Sequence, residues 1–213
     1  MFAPTTPTSF ASIPRPAFGR EAQHLPGTPA PLKGAATARY QRAARTAAAL
    51  LPELPRTGES VHALMPGTYD LCQVVTASVN RQPDCQHLRI ATLCYSRRNA
   101  AELLSLLEAR PTLRLTLLVS VFHREHNKEL HAWFAGELRE HPNARIAAAR
   151  SHCKVVCFDL GRRDGLVFEG SANLRTNKNR EQLTVIRDRR LHDWHAAWID
   201  ELVGADDGQG EET

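Results

Sequence analysis

The stretch 151–173 constrains the fold of this chain more than any other part of its sequence. It starts with Ser-His-Cys-Lys-Val-Val-Cys-Phe-Asp, an apolar run interrupted by His152 and Lys154, and it ends with Gly-Ser-Ala-Asn. Between the two runs, Asp164 and Gly165 form a pair typical of hairpin turns, where such residues supply positive φ angles. The stretch therefore predicts two antiparallel strands joined by a short turn.

The alternation of side chains along a strand places the polar residues of this hairpin. Successive side chains point to opposite faces, so His152 and Lys154 should share one face and Asp159 should lie on the other. The second strand ends beside the start of the first, so Ser171 and Asn173 should approach His152. The spacing thus predicts a polar site at one end of the hairpin.

An imidazole beside a fixed ammonium group suits chemistry at phosphate. His152, as neutral imidazole, would attack the phosphorus of a phosphodiester and form a phosphohistidine intermediate that water then hydrolyses. Lys154 would neutralise the non-bridging oxygens, and Ser171 and Asn173 would donate hydrogen bonds to them. Because the protein supplies the positive charge, we expect neither a metal ion nor another cofactor. A second histidine has to protonate the leaving oxygen.

These residues resemble the signature of the phospholipase D superfamily, H-x-K-x(4)-D followed by G-S-x-N, and they fill every defining position. The resemblance covers roughly residues 68–203 and implies a phospholipase D-like domain. Family members with a single motif, such as small bacterial nucleases and phage-borne proteins, form homodimers in which each subunit supplies one histidine. This chain has one H-x-K run in that context, so the resemblance implies a homodimer with one active site on its two-fold axis.

Further polar residues surround the two runs. By the same resemblance, Glu181 orients the His152 ring through the nitrogen that does not attack; the alternative is an exposed loop glutamate. Asp159, on the opposite strand face from His152, is expected to hold neighbouring backbone or a basic residue rather than substrate. Five basic residues would hold the phosphates of a longer substrate or remain merely solvated: Arg162, Arg163, Arg175, Lys178 and Arg180.

Composition divides the chain into four segments. Residues 1–35 contain seven prolines among small residues and are expected to form a disordered arm. Residues 36–67 form a helical linker, with a helix rich in Ala and Arg at 36–51. Residues 68–203 form the catalytic domain, and 204–213 are an acidic tail.

Within the catalytic domain, apolar patterning predicts strands that alternate with helices. Strands are expected at 69–79, 88–95, 113–122, 144–149 and 182–187 besides the hairpin, and helices at 96–109, 127–140 and 191–203. The last helix should bury a stripe made of Leu191, Trp194, Trp198 and Leu202. This order predicts an α/β fold with a layered mixed β-sheet flanked by helices.

Composition also bounds the partners and the compartment. No apolar run reaches the roughly 18 residues of a membrane span, and the N-terminus lacks a charged segment followed by an apolar one, so we expect a cytoplasmic protein without stable membrane association. The five cysteines are odd in number and are expected to be reduced and mostly buried. Zinc binding by Cys72 and Cys85 is the alternative. Residues 61–199 carry 20 basic against 14 acidic residues, which suits a nucleic-acid partner or simply solubility.

Three functions remain open at this point. The first is a metal-independent phosphodiesterase that cleaves DNA or RNA, favoured by the single motif and the basic body. The second is a phospholipase or phosphatidyl transferase, which would be expected to show a signal peptide, an anchor or an amphipathic helix. The third is a catalytically silent nucleic-acid-binding protein, against which the intact His152, Lys154, Ser171 and Asn173 argue.

Overall fold

A computed structural model describes residues 46–175 and 178–209 of the chain. The expected proline-rich arm at 1–35 lies outside the described residues. So do the larger part of the helix predicted at 36–51 and the end of the acidic tail. Residues 46–50, at the start of the described part, are helical.

Seven strands of the described chain form one mixed sheet. They are β1 (Ser60–Met65), β2 (His87–Thr92), β3 (Arg114–Ser120), β4 (Ala144–Ala149), β5 (Val155–Asp159), β6 (Gly165–Gly170) and β7 (Glu181–Arg187). Their order across the sheet is β1-β7-β6-β5-β2-β3-β4. β2, β3 and β4 are parallel to one another, whereas the remaining neighbours are antiparallel. The predicted class, α/β with a mixed sheet, is confirmed.

Helices cover both faces of this sheet. They are α1 (Leu71–Arg81), α2 (Arg97–Ala109), α3 (Val121–His126), α4 (Lys128–Arg139) and α5 (Arg189–Gln209). The larger core lies between one face and α1, α2 and α4, and it includes Val156 and Phe158 of β5. The smaller core lies under α5 and takes Val155 and Cys157 from the same strand. No helix in the described part combines the length and apolar character needed to cross a bilayer.

The strand predicted at 69–79 is wrong, because this segment forms α1. Its buried apolar residues recur at helical spacing: Leu71, Val74, Val75 and Val79. Asp70 caps the helix, since its carboxylate accepts from the Gln73 backbone N–H at 3.0 Å and the Gln73 side chain accepts from the Asp70 N–H at 3.1 Å. The capping pair and the period outweigh the strand preference of the valines.

Two short elements escaped prediction. β1 lies inside the segment predicted as a helical linker, and it pairs along its whole length with β7 at the edge of the sheet. Only its last residue, Met65, is buried, so the alternation of apolar residues is weak. α3 continues directly from β3, where the Ser120 hydroxyl accepts from the Phe122 N–H at 3.1 Å and turns the chain.

The hairpin between β5 and β6 is confirmed, but its turn differs from the prediction. Gly161, with φ of 102°, is the left-handed residue, whereas Asp164 and Gly165 do not have positive φ. The Asp164 carboxylate instead pairs with Arg187. Gly165 allows α5 to approach closely, because a Cβ there would lie 2.6 Å from the Cβ of His192.

The buried stripe predicted for α5 is wrong in two of its four members. Trp194 is 64% exposed and Leu202 is 37% exposed. The helix instead buries a face one position further round: His192, His195, Ala196, Ile199 and Val203. Two histidines, His192 and His195, therefore fill core positions of this helix, whereas Trp194 of the predicted stripe faces solvent.

This correction predicts opposite stabilities for two substitutions in α5. Ile199→Ala should lower the free energy of unfolding by about 2–4 kcal/mol, since Ile199 is fully buried under the sheet. Trp194→Ala should change it by less than about 1 kcal/mol despite the larger volume removed. Urea denaturation of both variants measures the difference. A larger loss in Trp194→Ala would contradict the orientation of α5.

Candidate active site

The two motif runs meet at the sheet edge where β5 begins and β6 ends. Val155 pairs with Glu169, and the Gly170 N–H donates to the Lys154 carbonyl oxygen at 3.4 Å. His152 and Lys154 therefore precede the strand rather than belong to it, in an extended segment. The predicted return of the G-S-x-N run toward the H-x-K run is confirmed at the level of the backbone.

His152 and Lys154 contact each other directly. The Lys154 ammonium nitrogen lies 2.8 Å from Nδ1 of the His152 ring and 2.8 Å from the His152 carbonyl oxygen. A protonated lysine has no acceptor, so it donates both hydrogen bonds. The Ser151 hydroxyl accepts from the Cys153 N–H at 3.2 Å and so links the backbone on either side of His152. The imidazole itself is exposed to solvent.

Ser171 and Glu181 join β6 to β7 at the same edge. The Ser171 hydroxyl donates to Oε2 of Glu181 and accepts from the Gln182 N–H at 3.0 Å. Gly170 permits this approach, because a Cβ at that position would lie 2.1 Å from the Gln182 carbonyl oxygen. The glycine of the motif is thus required by the packing of two strands.

Asn173 is attached to the carboxyl end of β2. Its side-chain oxygen accepts from the Leu93 N–H at 3.2 Å, which directs the amide nitrogen away from that strand. The next residue, Leu174, donates its N–H to the Thr92 hydroxyl at 3.2 Å and accepts from the Cys72 N–H at 3.4 Å. These bonds hold the G-S-x-N loop against β2 and the start of α1.

A buried cysteine that the sequence analysis did not assign lies beside Lys154. Partial burial lowers the pKa of Lys154, while Cys94, Glu181 and Cys153 act in the opposite direction. Burial raises the pKa of the Cys94 thiol, against the influence of Arg175 and Lys154. Lys154, Arg175 and Cys94 are therefore electrostatic neighbours, so Arg175 belongs to this edge of the sheet.

The structure separates the other predicted basic residues into two groups. Lys178 and Arg180 are exposed and precede β7, at the same edge as His152. Arg162 and Arg163 are exposed in the β5–β6 turn, which lies the length of β5 away, about 16 Å at 3.3 Å per residue. The hairpin therefore does not bring these two arginines to the motif histidine.

Asp159 makes the kind of contacts expected of it. Its Oδ1 accepts from the Gly161 N–H at 3.1 Å and from the Arg189 guanidinium at 3.0 Å. Partial burial acts to raise the pKa of this carboxyl group, but the hydrogen bonds from Gly161 and Arg189 and the charge of Arg189 together lower it. Asp159 thus ties the hairpin turn to the start of α5, at the end of β5 opposite His152.

A groove of about 600 Å³ opens beside His152. Its wall combines the apolar Leu93, Val121 and Phe122 with Arg150. The Phe122 ring is 58% exposed and lies against the His126 ring, with 4.0 Å between centroids. Phe122 was predicted to end the strand at 113–122, whereas it belongs to α3, so the groove was not expected.

A second histidine lies near this edge but is buried. His123 is 1% exposed and packs on the Tyr95 ring with 4.4 Å between centroids. Burial lowers its pKa to about 4, and the charges of His131 and Arg175 act in the same direction. His123 is therefore neutral near pH 7 and poorly suited to hand a proton to a leaving group.

The cysteines form no disulfide bond. All five cysteines are free thiols, and all except Cys153 are buried, as predicted. Within residues 46–175 and 178–209, no three His, Cys, Asp or Glu side chains come together in a way that could hold a metal ion.

Comparisons with known proteins add little about activity. No protein-family model matches the chain, and no curated protein matches it. Among solved structures, it is similar to the crystal structure of polyphosphate kinase from Porphyromonas gingivalis, with a TM-score of 0.49 and 14% sequence identity. The similarity covers 70% of this chain and 26% of that chain. A likeness this distant identifies neither a reaction nor a substrate.

Proposed function

We propose that the protein is a cytoplasmic, metal-independent phosphodiesterase of the phospholipase D superfamily that cleaves nucleic acid. One observation carries the proposal: the Lys154 ammonium lies 2.8 Å from an exposed His152 imidazole, at the edge of the sheet where Ser171 and Asn173 also lie. A nucleophile, a cation and a hydrogen-bond donor, here the Asn173 amide, are the groups that a charged phosphoryl transition state requires, while the Ser171 hydroxyl donates to Glu181.

The contact between Lys154 and Nδ1 describes a resting arrangement of the ring. While Lys154 donates to Nδ1, the neutral ring carries its proton on Nε2, and neither nitrogen has a free lone pair. A bound phosphodiester draws the ammonium group to its non-bridging oxygens and releases Nδ1. The ring then gives up its Nε2 proton to solvent and takes one from solvent at Nδ1; Glu181, as the carboxylate expected to orient the ring, accepts the new Nδ1–H, and Nε2 is left free to attack.

The reaction proceeds in two displacements. A lone pair of His152 forms a bond to phosphorus, and the bond from phosphorus to the leaving oxygen breaks as a second histidine protonates that oxygen. The same histidine then removes a proton from water, which attacks phosphorus and releases His152. Asn173 donates through its amide nitrogen, the end of the side chain that faces away from Leu93.

The proposal places the second histidine on another subunit. Within the described chain, His123 is the histidine that shares the electrostatic environment of Arg175, and its burial disfavours the protonated form that an acid needs. The exposure of His152 leaves room for a second His152 across a two-fold axis. At a site on such an axis, His152 of one subunit acts as the nucleophile and His152 of the other subunit acts as the acid.

Two features support nucleic acid as the substrate. The stretch 61–199 carries an excess of six basic residues, which favours encounter with a polyanion. Beside His152, the exposed ring of Phe122 could stack with a base while Arg150 contacts a phosphate. Lys178 and Arg180, exposed at the same edge, would hold further phosphates.

The groove also keeps lipid as a second candidate substrate. Leu93, Val121 and Phe122 give its wall an apolar character that an acyl chain could occupy. Both candidates are phosphodiesters, and the chemistry at His152 would be the same for either.

A substrate panel in the presence of EDTA tests the proposal. Single- and double-stranded DNA, RNA and phosphatidylcholine are incubated separately with the purified protein, and products are quantified over time. We expect cleavage of at least one nucleic acid at a rate that EDTA does not lower. Turnover of phosphatidylcholine alone would show that the substrate is a lipid and not a nucleic acid. Salt-sensitive binding of nucleic acid without cleavage would support a catalytically silent protein.

The shared site predicts a dimer that is required for activity. Sedimentation at micromolar concentration should show a dimer, and mixing wild-type subunits with excess His152→Ala subunits should lower activity below that of the undiluted wild type. Each mixed dimer would lack one of the two histidines. A monomer with full activity at the same concentration would contradict the shared site.

A further inference from the structure

An exposed aromatic pair lies beside the candidate active site. Phe122 of α3 is 58% exposed and belongs to neither hydrophobic core. The ring of His126, one turn further along the helix, packs on it with 4.0 Å between centroids, and Nδ1 of His126 lies 2.8 Å from the Phe122 carbonyl oxygen. A carbonyl oxygen only accepts, so Nδ1 donates and fixes the His126 ring beside its neighbour. The Phe122 ring is therefore supported on one side although it lies outside both cores.

The sheet places this ring across a groove from His152. α3 follows the carboxyl end of β3, and the extended segment that contains His152 leads into β5. β2 separates β5 from β3 in the sheet, so the two side chains start from positions about two strand spacings apart, roughly 10 Å at 4.8 Å per spacing. The groove of about 600 Å³ lies between them, and Leu93, which follows β2, lines it. The base of a nucleotide whose phosphate lies at His152 can therefore reach Phe122.

The lining of the groove divides its chemistry between two segments. Arg150 and Ser151 lead directly to His152 and present a guanidinium group and a hydroxyl, which are donors that suit phosphate oxygens. α3 instead presents the Phe122 ring and the carboxylate of Glu125, which repels a phosphate but can accept from the amino group of a base. A nucleotide matches this division when its phosphate lies at His152 and its base lies at α3.

An acyl chain matches the same groove less well. It would cover the side chains of Glu125 and Arg150, both of them exposed, without making a hydrogen bond to either. A base has a π face that stacks on an aromatic ring and a polar edge that bonds to side chains. The lining therefore favours a base as the occupant of the groove.

We propose that Phe122 selects single-stranded over double-stranded nucleic acid by stacking on the base of the nucleotide whose phosphate lies at His152. The inference rests on the function proposed above and adds the strandedness of the substrate. A base offers its face to a protein ring only where neighbouring bases do not cover it, and in a duplex stacking and pairing keep each base covered. Because every base has a π face, the preference concerns strandedness and not sequence.

Cleavage rates on a single strand and on a duplex of the same sequence test this inference, in EDTA and with the nucleic acid that the wild type cleaves. We expect kcat/KM of the wild type to be at least about tenfold higher on the single strand, and Phe122→Ala to lower that value about tenfold. Phe122→Trp restores a stacking ring and should keep the wild-type preference. Trp194→Ala removes an exposed ring of α5 that does not line the groove, so it is the matched control.

Binding measured in the His152→Ala variant separates stacking from cleavage. The anisotropy of a short labelled single strand reports its affinity over a range of salt concentrations. Adding Phe122→Ala should weaken the affinity about tenfold at every salt concentration, because stacking releases no counterions. Adding Arg150→Gln should instead reduce the slope of log affinity against log salt by roughly 0.7, as expected for the loss of one phosphate contact.

The outcomes distinguish failure of this inference from failure of the proposed function. Equal wild-type rates on single strand and duplex, or an unchanged single-strand rate in Phe122→Ala, would overturn the role of Phe122 and leave the nuclease intact. A wild type that cleaves no nucleic acid would overturn both. Turnover of phosphatidylcholine that falls in Phe122→Ala would assign the groove to an acyl chain and overturn the selection of single strands.

Discussion

Replacing His152 with alanine should lower the rate of phosphodiester cleavage by at least about 10⁴-fold on the substrate that the wild type cleaves in EDTA. The imidazole is the only proposed group that forms a bond to phosphorus, so its loss removes the covalent pathway. In a shared site the same substitution also removes the acid, because both roles fall to His152. Initial rates of the variant and the wild type, at saturating substrate, measure the effect.

Two controls separate this loss from a change of fold. His62→Ala removes an exposed histidine from the edge strand β1 and should leave the rate within a factor of two. Acid quenching during turnover should trap label from the substrate on the wild type and not on His152→Ala. Cleavage by His152→Ala within tenfold of the wild type would show that another residue is the nucleophile.

The hairpin was predictable because its determinants are local. Alternation along β5 and the return of β6 follow from sequence spacing, and both hold in the structure. The position of Arg162 and Arg163 was not predictable in this way, although both residues lie close to the motif in sequence. Because β5 has five residues, the turn that follows it lies about 16 Å from the start of the strand. Arg162 and Arg163 are therefore close to the motif in sequence and far from it in space.

The errors in the fold have a common physical origin. In α1, the spacing of Leu71 and Val75 already favoured a helix, but valines are also frequent in strands, and only the Asp70–Gln73 capping pair decides between them. In α5, the buried face includes His192 and His195, which as polar residues would be expected on the surface. Neither Cys94 nor the groove at Phe122 could be found from sequence, because each depends on packing between segments far apart in the chain.

Replacing Gly170 with alanine should lower the free energy of unfolding by about 2–4 kcal/mol. The new Cβ would lie 2.1 Å from the Gln182 carbonyl oxygen and 3.2 Å from Cα of Leu183, both of which belong to backbone paired in the sheet. Neither atom can move without separating β6 from β7. That separation would also displace Ser171, which bonds to the Gln182 N–H, so the remaining folded protein should cleave more slowly.

Gly136→Ala is the matched control, because the same methyl group is added within α4, where no heavy atom lies within 4 Å apart from the adjacent residues and the backbone of the helix itself. There alanine should raise the free energy of unfolding by about 0.5–1 kcal/mol through its higher helix propensity. Urea denaturation of the two variants should therefore give changes of opposite sign for one chemical substitution. Equal stability of Gly170→Ala and the wild type would mean that β6 and β7 are not packed as closely as described. The requirement for glycine in the motif would then have to lie in contacts with substrate.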